Sequence, residues 1–306
     1  MNTPGNPPLE VEPGFATELV RALVNPALTV TDVRPMHGGS INHVVELTTD
    51  GEPNAIVAKL NDAEHGEGFA LELASLEYFE RHTALPVPGV LGLVRSPRWP
   101  ISGILLERRP GVTLSDARLS APGKQRVQYQ LAEHVSELHT HTRYSFGSAM
   151  SEPGHDNWLA GFGPRLQSEF EQVREQLPSV TRRVVDHVIA DLPRYLPARP
   201  RPTLVHGDLW ANNILIDDAN PDQPIITAFI DGFASYAHHE YELAYLEVFH
   251  TAGRTFFDAY ERRHPLEPGY NRRRLIYWLH TMLLHVRIFG EKYVGPCNDV
   301  AAKIAR

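Results

Sequence analysis

The sequence predicts a bilobal α+β protein, with a small β-rich lobe over residues 1–107 and a larger, mainly helical lobe over residues 108–306. Short alternating and β-branched apolar runs dominate the first third of the chain, whereas helical spacing dominates the remainder. The segment "ERRPG" (107–111) lies at the transition and is predicted to connect the two lobes. A chain of 306 residues is long enough for two lobes of ordinary domain size.

The small lobe is predicted in the order helix, three strands, helix and two strands. Its first helix covers residues 14–25, where Phe15, Leu19 and Leu23 recur at helical spacing. The predicted strands lie at residues 28–35, 43–47, 55–60, 90–93 and 101–107. The second helix covers residues 69–81, between the third and fourth strands.

The larger lobe is predicted to contain six helices and three short strands. The helices cover residues 124–140, 164–177, 182–196, 238–251, 255–263 and 271–290. The strands cover residues 203–205, 214–216 and 225–230, and the last two are expected to form a hairpin. Because a hairpin returns its second strand beside the first, we expect Asp231 to lie next to Asn213.

The composition is that of a soluble globular protein, with 42% hydrophobic and 22% charged residues. A net charge of -8 argues against a nucleic-acid partner and is compatible with a cationic substrate such as an amino sugar. No apolar stretch reaches membrane-spanning length, and the first residues lack a signal-peptide pattern, so no membrane partner is expected. The single cysteine, Cys297, excludes an internal disulfide and favours a reducing cytoplasm.

The most informative motif is H-G-D-L-x-x-x-N, from His206 to Asn213, followed by Asp231 after an apolar run. Its four polar or glycine positions arise together by chance at about 1 in 10⁵ positions. Phosphoryl transfer needs a carboxylate to deprotonate the attacking hydroxyl and hard oxygen ligands to hold Mg²⁺ on the nucleotide. Asp208 fits the first role, and Asn213 with Asp231 fits the second. The motif therefore indicates an ATP-dependent small-molecule kinase.

Two further groups suit a nucleotide site. Lys59 lies in the apolar strand "AIVAKLN", where a buried ammonium needs a partner. Glu72 on the next helix is the expected partner, although Glu77 and Glu80 are alternatives, and Lys59 would contact the α- and β-phosphates. Between the first two strands, "GGSIN" supplies Gly38, Gly39, Ser40 and Asn42, whose backbone amides are candidates for phosphate binding or for a plain hairpin turn.

Three segments carry a family resemblance: "LVHGDLWANNIL", "FIDGFASYAHHEYELAYLEVF", and the last part ending in "FGEKYV". They resemble the fructosamine kinase (ketosamine-3-kinase) family, in the aminoglycoside-phosphotransferase-like branch of the protein-kinase-like fold. The family typically shows H-G-D-L-W-x-x-N, I-D-P-A-x-x-Y-G-H-R-E-x-D-L-A and a helix ending in F-G-x-x-Y. This chain departs from that pattern at Gly232, Ala237, His239 and Glu242.

The resemblance implies ATP and Mg²⁺ as cofactors and a ketosamine as the first substrate candidate. In a kinase-like fold, the Glu107 carbonyl and the Arg109 amide would contact adenine, and the side chains of Arg108 and Arg109 would face solvent. Some family members carry a cysteine in the glycine loop that supports redox-controlled dimerisation. This chain has Ser40 there, so that switch is not expected, and the oligomeric state stays open.

The substrate pocket is expected between the catalytic loop and the helices after Asp231. Glu240, Glu247 and Asp156 are candidates to pair with a substrate ammonium. Trp210 would either pack against a sugar ring or brace the loop. Glu242, at a helix start, is assigned a structural role.

Two other functions stay open at this point. An aminocyclitol or aminoglycoside O-phosphotransferase, acting in antibiotic biosynthesis or resistance, would use the same catalytic loop. A nucleotide-binding pseudokinase is disfavoured because Lys59, Asp208, Asn213 and Asp231 are all present. A zinc site is not expected, because "HHEYE" lacks the second histidine of H-E-x-x-H.

Overall fold

The computed structural model describes residues 11–36, 42–95, 99, 101–151 and 154–306. Its contacts divide the chain into two compact units. The first comprises the residues up to Arg118 together with Asn212–Asn220 and Ile225–Gly232, and the second comprises Leu119–Ala211, Pro221–Pro224 and Phe233–Arg306. The first unit thus extends past residue 107 and includes Asn213 and Asp231, which the sequence boundary placed in the larger lobe.

The described residues form the following elements. The helices are α1 (Pro13–Leu23), α2 (Gly66–His82), α3 (Ala121–Leu138), α4 (Trp158–Val173), α5 (Ser179–Ala190), α6 (Leu192–Tyr195), α7 (His239–Val248), α8 (Arg254–Tyr260), α9 (Tyr270–Phe289) and α10 (Val294–Ile304). The strands are β1 (Val30–Pro35), β2 (His43–Thr49), β3 (Ala55–Asp62), β4 (Val90–Arg95), β5 (Ile101–Glu107), β6 (Val112–Thr113), β7 (Gly147–Ser148), β8 (Pro202–Val205), β9 (Ile214–Asp217), β10 (Ile225–Phe229) and β11 (Ser235–His238). The predicted α+β class is confirmed.

A five-stranded antiparallel sheet forms most of the first unit, in the order β1-β2-β3-β5-β4. Phe69 and Leu76 of α2 pack against Ile104 and Leu106 of β5. The apolar face of α1 packs into a second cluster with residues of β1, β2, β3 and β5. The predicted order of helix, three strands, helix and two strands is therefore confirmed, and β3 occupies the centre of the sheet.

A second sheet in the first unit, in the order β10-β9-β6, contains the predicted hairpin. Phe229 pairs with Ile214, and the Ile230 amide donates to the Asn213 carbonyl at 3.0 Å. The hairpin thus returns the chain beside Asn213 just before Asp231, as the sequence predicted.

The second unit is mainly helical and is built around an aromatic and aliphatic core. Phe162 of α4 and Tyr277 of α9 lie at its centre, with ring centroids 5.4 Å apart. A small sheet in the order β7-β11-β8 accompanies the helices. Its strand β8 ends at Val205, immediately before the loop that contains Asp208. No helix in the described part of the chain is long and apolar enough to cross a membrane.

Most helix boundaries lie within three residues of the prediction, and two differences are larger or change the number of helices. Helix α4 begins at Trp158 rather than at Pro164, because the Asn157 side chain accepts from the Leu159 and Ala160 amides and caps the helix there. The predicted helix over residues 182–196 is interrupted at Asp191, just before Pro193, whose ring cannot continue a regular helix. Helix α10 and strands β6, β7 and β11 were not predicted.

Candidate active site

Lys59 is held between two carboxylates in the first unit. Lys59 lies in β3 opposite Ile104 of β5, and only 7% of its surface is exposed. The Nζ atom donates to Glu72 Oε1 at 2.6 Å and also contacts Asp231 Oδ1. Burial disfavours the ammonium, but Asp231 and Glu72 outweigh that effect and raise the pKa of Lys59 above its usual value. Lys59 therefore stays charged, and Glu72 is the partner in this structure.

Asp231 and Asn213 lie at the base of the β9–β10 hairpin. Asp231 has a φ of 59°, a left-handed conformation that aspartate tolerates better than most residues. Asn213 is 5% exposed, whereas the Asp231 side chain is 39% exposed and can be reached from solution. A carboxylate that already holds one ammonium, together with a neighbouring amide, is a donor set that suits a hard divalent cation.

The catalytic loop of the second unit is fixed through Gly207 and Phe233. Gly207 has a φ of 89°, and a Cβ there would come within 2.8 Å of the Phe233 carbonyl oxygen, so only glycine fits without strain. The Phe233 amide donates to the His206 carbonyl at 2.7 Å. These contacts determine the backbone path that leads into Asp208.

A buried polar network braces the same loop. Glu242 accepts a hydrogen bond from the Gly207 amide at 2.9 Å through Oε1, and its Oε2 lies 3.1 Å from His139 Nε2. The other His139 ring nitrogen lies 2.7 Å from the Tyr260 hydroxyl. Glu242, His139 and Tyr260 are all buried, so the structural role expected for Glu242 is confirmed.

Tyr245 is the functional candidate that the sequence reasoning missed. Its hydroxyl donates to Asp208 Oδ1 at 2.5 Å. Burial, followed by the Asp208 charge, raises the pKa of Tyr245 above its usual range, so the hydroxyl is a donor at physiological pH. Tyr245 lies three residues after Glu242 on α7, on the helix face that meets the loop. That spacing is the one sequence signal that would have indicated it.

The remaining nucleotide candidates are placed only in part. Gly38, Gly39 and Ser40 lie outside the described residues, and the Asn42 side chain accepts from Asn61 Nδ2 at 2.9 Å. The Glu107 amide donates to the Gly89 carbonyl at 2.8 Å, which fixes the end of β5. Adenine contacts through the Glu107 carbonyl and the Arg109 amide stay a prediction.

The side chains of Arg108 and Arg109 do not face solvent as expected. Arg108 donates to Glu46 Oε2 at 2.6 Å, and Arg109 donates to the Thr227 carbonyl at 3.0 Å. Both side chains are less than 30% exposed. That expectation was wrong, because each guanidinium finds an acceptor within the first unit.

Two of the acidic substrate candidates are already paired. Glu240 is fully buried, and both its oxygens accept from Arg273 at 2.6 Å. Glu247 contacts Arg274 and also accepts from the Tyr270 hydroxyl at 3.2 Å. The expectation that these carboxylates bind a substrate ammonium is therefore corrected: arginines of α9 neutralise both.

The other two substrate candidates remain predictions. Asp156 lies on an exposed bend before α4. Trp210 is half-buried, and its ring centroid lies 6.0 Å from that of Phe249.

His238, His239 and Glu240 form a cluster whose potential metal ligands lie within 4.8 Å of one another. Arg273 holds both Glu240 oxygens, and His238 Nδ1 lies 2.7 Å from the Tyr277 hydroxyl. Burial lowers the pKa of both histidines. The cluster is therefore a neutral structural pair of histidines beside an ion pair, and we assign it no metal.

Comparison of the chain with known proteins identifies a matching family. Residues 15–306 match the model of the fructosamine kinase family. A Staphylococcus aureus protein named "probable ketoamine kinase" is 25% identical over 292 residues, covering 88% of this chain and 91% of that protein.

Solved structures show the same fold. A Haemophilus somnus protein described as a "putative fructosamine-3-kinase" superposes with a TM-score of 0.76 at 18% identity, over 95% of this chain and 97% of the other. An aminoglycoside phosphotransferase in ternary complex with ADP and hygromycin B superposes with a TM-score of 0.66 at 20% identity, over 95% and 99%. At these identities the two likenesses establish the protein-kinase-like fold alone.

Proposed function

The chain belongs to the fructosamine kinase family, and from that premise we propose that it transfers the γ-phosphoryl group of ATP to a hydroxyl of a ketosamine. The observation that carries the proposal is the buried Lys59, held between Glu72 and Asp231. A charged lysine that costs free energy to bury, beside a carboxylate suited to a metal ion, is the arrangement that nucleotide phosphates require.

Each group then has a defined task. Lys59 contacts the α- and β-phosphates, the loop of Gly38, Gly39, Ser40 and Asn42 covers them, and Glu107 with Arg109 offers backbone groups to adenine. Asn213 and Asp231 would hold Mg²⁺, and the ion would neutralise charge on the phosphates. We assign the reaction to the reducing cytoplasm, in keeping with the single, buried thiol of Cys297.

Asp208 is the base in this proposal. As the acceptor oxygen forms its bond to the γ-phosphorus, the proton of that hydroxyl moves to Asp208 and the bond to the β–γ bridging oxygen breaks. The products are a phosphate monoester and ADP. The Tyr245 hydroxyl donates to Oδ1 and so holds this carboxylate in a fixed orientation.

The acceptor is tested by a panel assay of ADP release against ketosamines, neutral sugars, aminocyclitols and aminoglycosides. We expect the highest kcat/KM with a ketosamine. A higher value with an aminoglycoside would instead support the antibiotic-modifying alternative, whose fold this chain shares. Absence of ADP release with every acceptor, despite binding of Mg·ATP, would leave the pseudokinase alternative.

Removal of the Tyr245 hydroxyl tests the position of the base. Tyr245→Phe is expected to lower kcat by roughly tenfold to hundredfold, since a hydrogen bond that holds a charged group in place contributes about 1.5–3 kcal/mol. That bond favours the ionised carboxylate, so its loss should move the acid limb of the kcat–pH profile to higher pH.

The control is Tyr270→Phe, which removes a hydroxyl donated to Glu247 and should leave kcat and the pH profile unchanged. Calorimetry should show the same Mg·ATP affinity for Tyr245→Phe as for the unaltered chain. A drop in kcat with no movement of the acid limb would mean that Tyr245 has only a structural role.

A further inference from the structure

The F-G-x-x-Y motif at the end of α9 has no part in the phosphoryl transfer described above. The helix ends at Phe289, and Gly290 then takes a φ of 73° and begins a short 3-10 turn through Tyr293. That turn brings the Tyr293 ring back beside Phe289, with centroids 5.7 Å apart. The motif therefore builds a pair of adjacent rings.

A continuous series of ring contacts joins this pair to the base. The centroid of the His285 ring lies 5.4 Å from that of Phe289 and 4.9 Å from that of Tyr293. It also lies 5.0 Å from the centroid of Phe249. The Phe249 and Tyr245 ring centroids lie 4.9 Å apart, and the Tyr245 hydroxyl donates to Asp208. The series, here called the aromatic wall, consists of Trp210, Tyr245, Phe249, His285, Phe289 and Tyr293.

The far end of the aromatic wall is open to solvent and already holds a cation. Phe289 is 38% exposed. The Lys292 ammonium lies 4.7 Å from the centroid of Phe289 and 5.3 Å from that of Tyr293. Both distances are within the range in which an aromatic face attracts a cation.

We propose that the aromatic wall binds the amine end of the acceptor. The substrate ammonium takes the place that Lys292 holds over Phe289 and Tyr293, and an apolar substituent on the nitrogen packs against the ring faces. The acceptor hydroxyl then reaches Asp208 at the other end. This inference rests on the proposed kinase function, and it replaces the acidic contacts that Arg273 and Arg274 exclude.

The inference has two consequences, which change the binding of amine-bearing acceptors in opposite directions. Loss of a ring should weaken acceptors that carry an amine, since both the cation contact and the stacking contact are removed. Loss of the Lys292 charge should strengthen the same acceptors, because their competitor for the ring faces is removed. A neutral acceptor of the same shape should respond to neither change.

The test measures kcat/KM with three matched acceptors: a ketosamine with a benzyl group on nitrogen, the same sugar with a methyl group, and the benzyl ether that replaces nitrogen by oxygen. The unaltered chain should prefer the benzyl amine to the ether by roughly tenfold. Phe289→Leu and Tyr293→Leu should each remove most of that preference. Lys292→Met should raise kcat/KM for both amines by about threefold and leave the ether unchanged.

The matched control is Tyr129→Leu, which removes a similarly exposed ring from α3. It should change none of the three values. Equal kcat/KM for amine and ether, or a Lys292→Met variant with unaltered values, overturns the inference while turnover itself upholds the proposed function. Absence of turnover with all three acceptors overturns both. The Lys292 variant keeps the test valid if a ring variant folds poorly, because that side chain is exposed.

Discussion

Asp208→Asn is expected to lower kcat by roughly two or more orders of magnitude while the affinity for ATP stays near that of the unaltered chain. Asparagine keeps the shape of the side chain and an oxygen for the Tyr245 hydroxyl, but it cannot accept the proton of the acceptor hydroxyl. Steady-state ADP release with a ketosamine measures kcat, and calorimetry measures ATP binding.

Asp258→Asn provides the matched control, because Asp258 lies on α8 with a side chain that is 61% exposed. The same chemical change there should leave kcat unaltered. Turnover of Asp208→Asn close to that of the unaltered chain, with any acceptor that becomes phosphorylated, would remove Asp208 from the role of base. An equal loss in both variants would point to a general effect on folding.

The local parts of the nucleotide site could be predicted because they follow from short-range rules. Two apolar runs separated by a polar loop predicted the β9–β10 hairpin, and the hairpin alone brings the chain after β10 to Asn213. A lysine inside an apolar strand required a partner, and Glu72 on the following helix supplies it. In both cases the spacing in sequence determines the contact in space.

The ion pairs formed by the acidic substrate candidates could not be predicted in the same way. Glu240 and Glu247 appeared as free carboxylates on a helix near the catalytic loop. Their partners, Arg273 and Arg274, lie 33 and 27 residues further on, on α9. Only the packing of α7 against α9 brings these groups together, and no local pattern in the sequence records that packing.

Helix boundaries show a similar limit. The helical pattern predicted a helix that begins at Pro164. The Asn157 side chain caps the helix about two turns earlier, and the helix continues through Pro164. Burial of Trp158, Phe162 and Leu166 in the core of the second unit stabilises the helix despite the lost backbone hydrogen bond.

Asp231→Ala is expected to weaken Mg·ATP binding and to lower turnover by roughly two orders of magnitude or more, because a metal ion on transferring phosphates contributes several kcal/mol. The change removes the exposed carboxylate of the proposed metal site and leaves Lys59 paired with Glu72 alone. Calorimetry with and without Mg²⁺ measures binding, and the Mg²⁺ dependence of ADP release measures turnover.

Asp231→Asn separates the charge from the ligand atom. It keeps an oxygen for the metal ion without the negative charge, so its half-saturating Mg²⁺ concentration should lie between those of the unaltered chain and Asp231→Ala. The left-handed backbone at this residue favours the comparison, since asparagine tolerates that conformation and alanine adds about 1–2 kcal/mol of strain. Thermal unfolding of all three proteins therefore measures the strain independently. If Mg·ATP affinity is the same in Asp231→Ala as in the unaltered chain, the carboxylate serves only to position Lys59 and the metal is held elsewhere.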